Sequence, residues 1–270
     1  MADSAPTLVF ADGAAYERFM GRWSRKAGRI FLEWLGLPEG LRWMDAGCGT
    51  GALTESIREV CRPGEIVAMD PAPAQISYAQ SHCASAGAQF MLGDARSIPF
   101  ENGRFDAAVS ALVLNFIPDR ERAVTEMTRV VRPGGIVASY VWDFAGGSGV
   151  NQHLNRAIAA LEGTKKIGAE RYDDSTEEGG LRRLYEGSGL IQVETRPIEI
   201  TLAFRDFDVY WESNTRAASP GGKYVQGLTD RKRQTLIERV KAILPFDGNG
   251  KISYTARVNA VKGTVPPLSY

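Results

Sequence analysis

The sequence predicts an α/β fold, an open sheet of parallel strands with helices packed on it and a ligand seat at the strands' carboxyl ends. Three observations predict it. Leu41 to Ala46 is a short apolar run, glycines follow at alternate positions 47, 49 and 51, and a helical pattern then begins. Successive apolar runs finish near an acid, at Asp45, Asp70 and Asp94. Between residues 41 and 143 such runs alternate with helical patterns, as repeated strand–helix units require.

A strand that feeds a glycine turn opening a helix has a physical purpose. Without a Cβ the backbone can take φ > 0 and a ligand can come against it, while the helix start points unsatisfied N–H groups at that ligand. This is a seat for a nucleotide-type cofactor. Gly47, Gly49 and Ala52 satisfy the relaxed dinucleotide fingerprint G-x-G-x-x-A, so the glycines alone do not choose the cofactor. Asp45, two residues before the first glycine, is the sharper feature, although an Asp there also serves as a simple local cap.

DAGCGTG, residues 45–51, resembles motif I of the class I S-adenosylmethionine (SAM)-dependent methyltransferases. In that family D/E-x-G-x-G-x-G wraps the methionine part of the cofactor, and the acid helps position its amino group, directly or through water. The resemblance covers about 100 residues, Leu41 to Trp142. It is nearest to the methyltransferase type 11 group, which includes the ubiquinone- and menaquinone-biosynthesis enzymes. It implies a Rossmann-like, doubly wound sheet of seven strands with a reversed last strand, plus helical cap insertions. It implies no acceptor, because acceptor pockets sit on the variable parts of a fold.

The elements follow in order. Tyr16 to Leu35 reads as one or two amphipathic helices with a break at Gly21. Its aromatics suit packing on the sheet, and they also suit a lid. In related small-molecule enzymes a leading helix closes over SAM, so Tyr16 and Arg22 are carried as cofactor candidates. Ala52 to Val60 is the first crossover helix, and EIVAMD ends the second strand at Asp70, 25 positions after Asp45. A carboxylate there can accept both ribose hydroxyls, a task for paired acceptor oxygens; its other reading is a cap for the helix from Pro73. DPAPAQI resembles the family's stretch after that acid, which implies Gln75 near the adenine and makes Pro71 a cofactor-binding candidate.

A helix to about Ala86 leads to the third strand, Gln89 to Ala95. Gly93-Asp94-Ala95 resembles the family's adenine motif, where the Asp accepts the exocyclic amine and a neighbouring N–H bonds the ring. Alone, an Asp after a strand is usually a turn residue. Phe105 to Asp119 is the fourth strand and its exit: Ser110 and Ala111 are expected on the cofactor floor and Asn115 facing the acceptor. LNFIPD is not the (D/N/S)PP(Y/F) tetrapeptide of DNA base methyltransferases. The helix Arg120 to Val131 stops at RPGG, which turns the chain into a fifth strand ending at Trp142, a candidate wall of the acceptor site.

Beyond Asp143 the resemblance weakens. Helices are expected at Asn151–Leu161 and Glu177–Ser188, strand six at Leu190–Phe204, and a last, antiparallel strand at Ser253–Gly263. The domain plan is therefore a helical lid over 1–40, a cofactor core over 41–143, and a cap insertion over 144–178. The core continues over 179–204, a second cap insertion spans 205–251, and the last strand and tail span 252–270. Two helical stretches are expected in 205–251, with Tyr210 and Trp211 as candidate acceptor contacts.

Composition sets the bounds. The chain has 270 residues and is 44% hydrophobic, enough to bury one large core. Lys+Arg and Asp+Glu are both 32, with no basic footprint for nucleic acid. Three cysteines, Cys48, Cys61 and Cys83, have no metal-ligand spacing and fit reduced thiols in a cytoplasm. Cys48 lies in the glycine turn beside the cofactor seat, and packing is its simplest role. The first residues lack a basic n-region and no segment has the length of a membrane span, so a cytoplasmic protein is expected.

Methyl transfer from a sulfonium is an in-line displacement with a neutral leaving group. It needs alignment more than covalent help, and a base only if the acceptor is protonated at working pH. His82 and His153 are poorly placed, so no catalytic residue is named. The expectation is a SAM-dependent methyltransferase with a small-molecule acceptor, no metal and no nucleic acid, with a homodimer left open. Two alternatives stand: an NAD(P)-dependent oxidoreductase, which would leave Asp94 without a job, and a SAM-binding module without catalysis.

Overall fold

A computed structural model describes residues 21–83, 87–164, 176–215 and 220–267. Strands β1 (Arg42–Ala46), β2 (Glu65–Asp70), β3 (Gln89–Leu92), β4 (Phe105–Ala111), β5 (Val131–Trp142), β6 (Ile191–Phe204) and β7 (Ile252–Thr264) form one sheet. Their order is β3-β2-β1-β4-β5-β7-β6. The first five pair in parallel, and β7 runs antiparallel to both β5 and β6. This is the doubly wound sheet with a reversed last strand. Parallel strands are buried on both faces, which is why β2 and β4 read as near-continuous apolar runs. The order reverses between β1 and β4, where open α/β sheets place their ligands.

The crossovers are α2 (Ala52–Cys61), α3 (Pro73–His82) and α4 (Arg120–Val130). Ahead of them α1 (Arg22–Leu35) lies beside α2, with Ala27 and Phe31 fully buried and the Phe31 ring 4.9 Å from Tyr140. Over these residues the expected lid is instead a core helix, because its apolar stripe is used against the sheet. Tyr16 lies outside the described residues, and so does the Arg22 side chain. The RPGG stretch also departs from expectation. Helix α4 passes directly into β5 at Val131, and Pro133, Gly134 and Gly135 lie inside the strand at a register shift against β4. A Cβ on Gly135 would stand 2.5 Å from the Asp106 carbonyl, so the strands approach too closely there for a side chain.

The β6–β7 hairpin outruns the sheet. Trp142, the last residue of β5, pairs with Val258, yet β7 begins at Ile252 and stays paired with β6 to Phe204. Six residues at ~3.3 Å each carry the hairpin ~20 Å past the carboxyl edge. Its apolar face shares one core cluster with α5 (Gln152–Glu162), α7 (Phe207–Thr215), α8 (Pro220–Gln226) and α9 (Asp230–Ile243). Among the described residues the insertion thus holds three helices rather than two; PGGKYVQ, with two glycines, carries too weak a pattern to announce α8. On the opposite sheet face α6 (Glu178–Gly187) buries Leu181 and Tyr185, whose hydroxyl donates to Ser139 Oγ at 2.8 Å. No helix of the described residues is long and apolar enough to cross a membrane.

At the amino ends of the strands, Asp106 ties β1, β4 and β5 together. Its carboxylate accepts from the Arg42 backbone N–H (2.9 Å), from the Arg42 guanidinium (3.0 and 3.2 Å) and from Arg132 Nε (2.6 Å). The Arg42 hydrogen bond is the main cause holding this carboxyl well below the usual carboxylate range. A depressed acid stabilises the fold above its unfolded pKa and loses that contribution as pH falls through its folded value. Asp106→Asn is therefore expected to cost about 1–2 kcal/mol at neutral pH, discounted for half-exposed partners. It should also flatten the loss of stability below pH ~4, as measured by denaturant unfolding across pH.

Candidate cofactor site

The parallel register places the three predicted acids on one edge at staggered depths. Asp45 pairs with Ala68 on one side and Val109 on the other, so Gly47, Asp70 and Ala111 come level. Asp70 in turn pairs with Leu92. Asp45 is two residues inside the edge, Asp70 at it and Asp94 two residues past it.

The turn between β1 and α2 is fixed by β2. Gly47 N–H and Cys48 N–H both donate to the Met69 carbonyl (2.8 and 2.9 Å), and Gly49 N–H donates to Asp70 Oδ2 at 3.0 Å. The three glycines have φ of 86°, 53° and 88°. Their reasons for lacking a side chain differ. A Cβ on Gly47 would lie 2.6 Å from Val113 Cγ1, and one on Gly51 would lie 2.7 Å from Cys83 Sγ. Gly47 and Gly51 are thus excluded by packing. At Gly49 no heavy atom of the described residues comes within 4 Å of that position, so among them this backbone faces open space.

Asp70 also accepts from Ala72 N–H through Oδ1, at 2.9 Å. Each oxygen holds one backbone donor and keeps a lone pair. Burial raises its pKa, and the two N–H groups oppose that rise. Its capping and ribose readings are compatible in this geometry. Asp45 differs from expectation. It is fully buried beneath the turn rather than lining a cleft; Thr54 Oγ1 donates to its Oδ2 at 2.6 Å, while Oδ1 has no partner among the described residues. Burial is the chief reason its pKa is pushed up to about 7, with the Asp70 charge adding to it. Asp94 is half-buried and chelated by its neighbour. Arg96 donates from its backbone N–H to Oδ1 (2.8 Å), from Nε to both oxygens (3.1 Å), and from Nη2 to Oδ2 (2.7 Å).

The other candidates divide. Gln75 is buried in the first turn of α3, Ala95 is buried, and Gly93 N–H donates to the Asp70 carbonyl at 3.2 Å. Pro71 is exposed and Ala111 half-buried. Cys48 packs with Ala68, Ile76 and Phe90, as the packing reading requires. Ser110 is a correction: its fully buried hydroxyl donates to the Ala46 carbonyl at 2.8 Å, so it locks β4 to β1 instead of facing a ligand.

On the acceptor side, Asn115 follows β4 in a short 3₁₀ turn, and both its carboxamide atoms are buried without a partner among the described residues. The Trp142 indole N–H is in the same state. Tyr210 belongs to the same core cluster as Trp142, and Trp211 packs against that cluster. Tyr210 is fully buried with its ring 5.2 Å from Phe204, out on the hairpin overhang, and Trp211 stacks on Phe207 at 5.8 Å. These aromatics form the core that fastens α7 to the hairpin. His153 stands edge-on to Tyr254 at 4.6 Å, and burial is the main cause lowering its pKa to about 4. His82 is exposed and stacks on Tyr78 at 3.9 Å. Two features escaped the sequence. Arg96 carries no pattern signal, and Leu112 adopts φ 61° at the exit of β4, where its N–H donates to the Tyr140 carbonyl at 2.8 Å. A non-glycine residue there costs ~1–2 kcal/mol and directs Val113 onto Gly47.

Two variants separate the glycine roles. Gly49→Ala should lose about 1–2 kcal/mol from its left-handed φ and keep the fold, while Gly47→Ala should lose more, because Val113 must also move. Thermal and denaturant unfolding of both checks the order. Asp45 gives a pH test. An acid with a raised folded pKa contributes stability that is full below its unfolded value and falls as pH rises through the folded value, here from about 4 to about 7. Asp45→Asn keeps an acceptor for Thr54 and should remove that decline; parallel unfolding curves for the two proteins at pH 4.5 and 8 would contradict it.

Comparison with known proteins gives a family and a fold. Residues 44–139 match the family described as methyltransferase domain. The malonyl-[acyl-carrier protein] O-methyltransferase of Serratia marcescens is 32% identical over 130 residues, which are 48% of this chain and 48% of that protein. A solved candidate methyltransferase of Bacillus halodurans superposes with a TM-score of 0.59 at 15% identity, covering 88% of this chain and 99% of its own. The phosphoethanolamine N-methyltransferase 2 of Haemonchus contortus, solved with S-adenosyl-L-methionine, gives a TM-score of 0.55 at 16% identity, over 94% of this chain and 56% of that one. The chain spans less than two thirds of the length of the curated relatives it matches, 63% and 48% in two cases. The glycine turn and strands β2 to β4 lie within the stretch, residues 44–139, that is similar to the methyltransferase domain family.

Proposed function

We propose that this chain transfers a methyl group from SAM to a small-molecule acceptor by in-line displacement. The observation that carries the reading is Asp70: a carboxylate braced by Gly49 N–H and Ala72 N–H, with lone pairs left over, beside a glycine backbone that faces open space. The orphaned Oδ1 of Asp45 beneath the same turn supports the fit. So does the company of relatives whose names are methyltransferases.

The sulfonium of bound SAM supplies an activated methyl and a neutral leaving group. The chain's residues would do the rest. Asp70 would accept the ribose hydroxyls and Asp94 the exocyclic amine of the base. The open backbone at Gly49 would admit the ligand, and the buried Asp45 would favour its ammonium end through water. Asn115 and Trp142 would orient the acceptor, since their unpartnered amide and indole N–H otherwise pay a desolvation cost for nothing. The helices fastened to the β6–β7 overhang would shield the edge from water. Positioning of this kind supplies much of a displacement barrier without a covalent intermediate. No general base is assigned: His153 is wedged against Tyr254 and His82 is on the surface. Among the described residues no group of His, Cys, Asp or Glu is arranged to hold a metal. The three cysteines are free thiols, which fits a cytoplasmic setting.

Calorimetric titration with SAM and with NAD, each alone, tests the reading. SAM should bind and NAD should not; heat from NAD alone would replace it with an oxidoreductase. Asp70→Ala should weaken SAM at least tenfold, about 1.4 kcal/mol, through loss of a charged acceptor. Unchanged affinity would show that the ribose lies elsewhere.

A further inference from the structure

Asp94 and Arg96 form a closed unit before any ligand arrives. Four contacts from one residue, of 2.7 to 3.1 Å, fall on the two carboxylate oxygens, Nε being shared between them. A carboxylate has about four lone-pair sites, so most of its accepting capacity is already used. The pair sits at the rim, with 45% of the Arg96 side chain and 41% of the Asp94 side chain exposed, which leaves it open to an incoming base. Among the described residues Asp45 and Asp70 have no cation on them; their partners are a hydroxyl and two backbone N–H groups.

We propose that Arg96 is a positioning residue that relaxes how strictly Asp94 reads the 6-position of the cofactor's purine. The inference rests on the SAM reading, which puts the base against Asp94. A site rejects an analogue lacking a hydrogen-bond donor chiefly because its own acceptor is then left unpaired. Arg96 removes that penalty in advance. A 6-oxo purine would leave nothing unsatisfied on Asp94, and its oxygen would meet a guanidinium, which only donates. A 6-amino group, in contrast, would share a carboxylate whose charge is already compensated. With Arg96 in place the two bases should bind comparably; without it Asp94 becomes a demanding acceptor.

The test compares S-adenosylhomocysteine with S-inosylhomocysteine by calorimetry on the full chain, as wild type, Arg96→Ala and Arg96→Gln. The Arg96 side chain is 45% exposed, and two differently sized replacements guard against a folding artefact. The wild type should bind both ligands within about tenfold, and each variant should widen the preference for the adenosyl compound by ~10- to 100-fold, the effect of one hydrogen bond to a charged acceptor. An unchanged or narrower preference in both variants would overturn the proposal and make Arg96 a plain surface ion pair. A wild-type preference of ~10⁴, the mark of a strict hydrogen-bonding site, would overturn it as well. If the wild type binds neither ligand, the SAM reading itself fails and this inference falls with it.

Discussion

Three hydrogen bonds from a glycine turn to the end of the neighbouring strand hold the whole edge of this sheet in place. The Met69 carbonyl takes the N–H groups of Gly47 and Cys48, and the next residue, Asp70, takes that of Gly49. The turn's shape is thus a consequence of the β1–β2 register, in which Ala46 lies opposite Met69. The chemistry of position 70 follows. An asparagine could offer one oxygen to either Gly49 or Ala72, and its NH₂ would then face the other donor. Only a carboxylate satisfies both and retains lone pairs for a ligand. The turn therefore asks for a carboxylate at position 70, the same group the proposed ribose contact would use.

The turn is locked from above as well as from the side. Leu112 is held in a left-handed conformation by its N–H bond to Tyr140, and Val113 consequently covers Gly47 so closely that no side chain fits. The strain at one residue and the bareness of another, 65 positions apart in the sequence, are two sides of one contact. Cys83 does the same for Gly51 from the end of α3. Among the described residues Gly49, between them, is left uncovered. The turn is bare at one residue while its neighbours are closed.

This distribution explains what the sequence made legible. The succession of strands and helices and the acid at the end of β2 follow from patterns that repeat along the chain: apolar runs, glycine punctuation, an acid where each strand stops. The reversed β7 was legible only through the family resemblance. Arg96, Leu112 and the depth of Asp45 do not, because each is defined by a partner on another segment or by burial that no spacing encodes. The aromatics show the same limit. Tyr210 and Trp211 looked suited to a pocket by type, yet one pairs with Phe204 on β6 and the other with Phe207 on its own helix. Ring-rich stretches are what a small helical layer needs to fasten itself to a lone hairpin, so residue type alone could not separate anchor from pocket. The RPGG stretch was misplaced for a similar reason. Glycine and proline usually end an element, but here they permit β5 to pass within contact of Asp106 without stopping.

The charge distribution says how an acceptor would be chosen. Among the described residues the buried acids are Asp45, Glu126 and Asp143. Glu126 is bound by Arg129 and the Ile98 N–H, and Asp143 accepts from Gly146 N–H beside Arg257. Neither has a carboxylate left over for an acceptor, and Asp45 lies under the turn. Among the described residues, unpartnered buried polar atoms near the ends of β4 and β5 include the Asn115 carboxamide, the Trp142 indole N–H and Asn259 Oδ1, all neutral. Groups of that kind cannot compensate a charged acceptor, and leaving them dry costs free energy unless something pairs with them. A displacement that yields a neutral leaving group needs collinearity more than charge, so neutral hydrogen bonds in a shielded space would suffice. Discrimination among acceptors would then come from shape and from satisfying those few neutral atoms, with the hairpin-borne helices setting how much room there is.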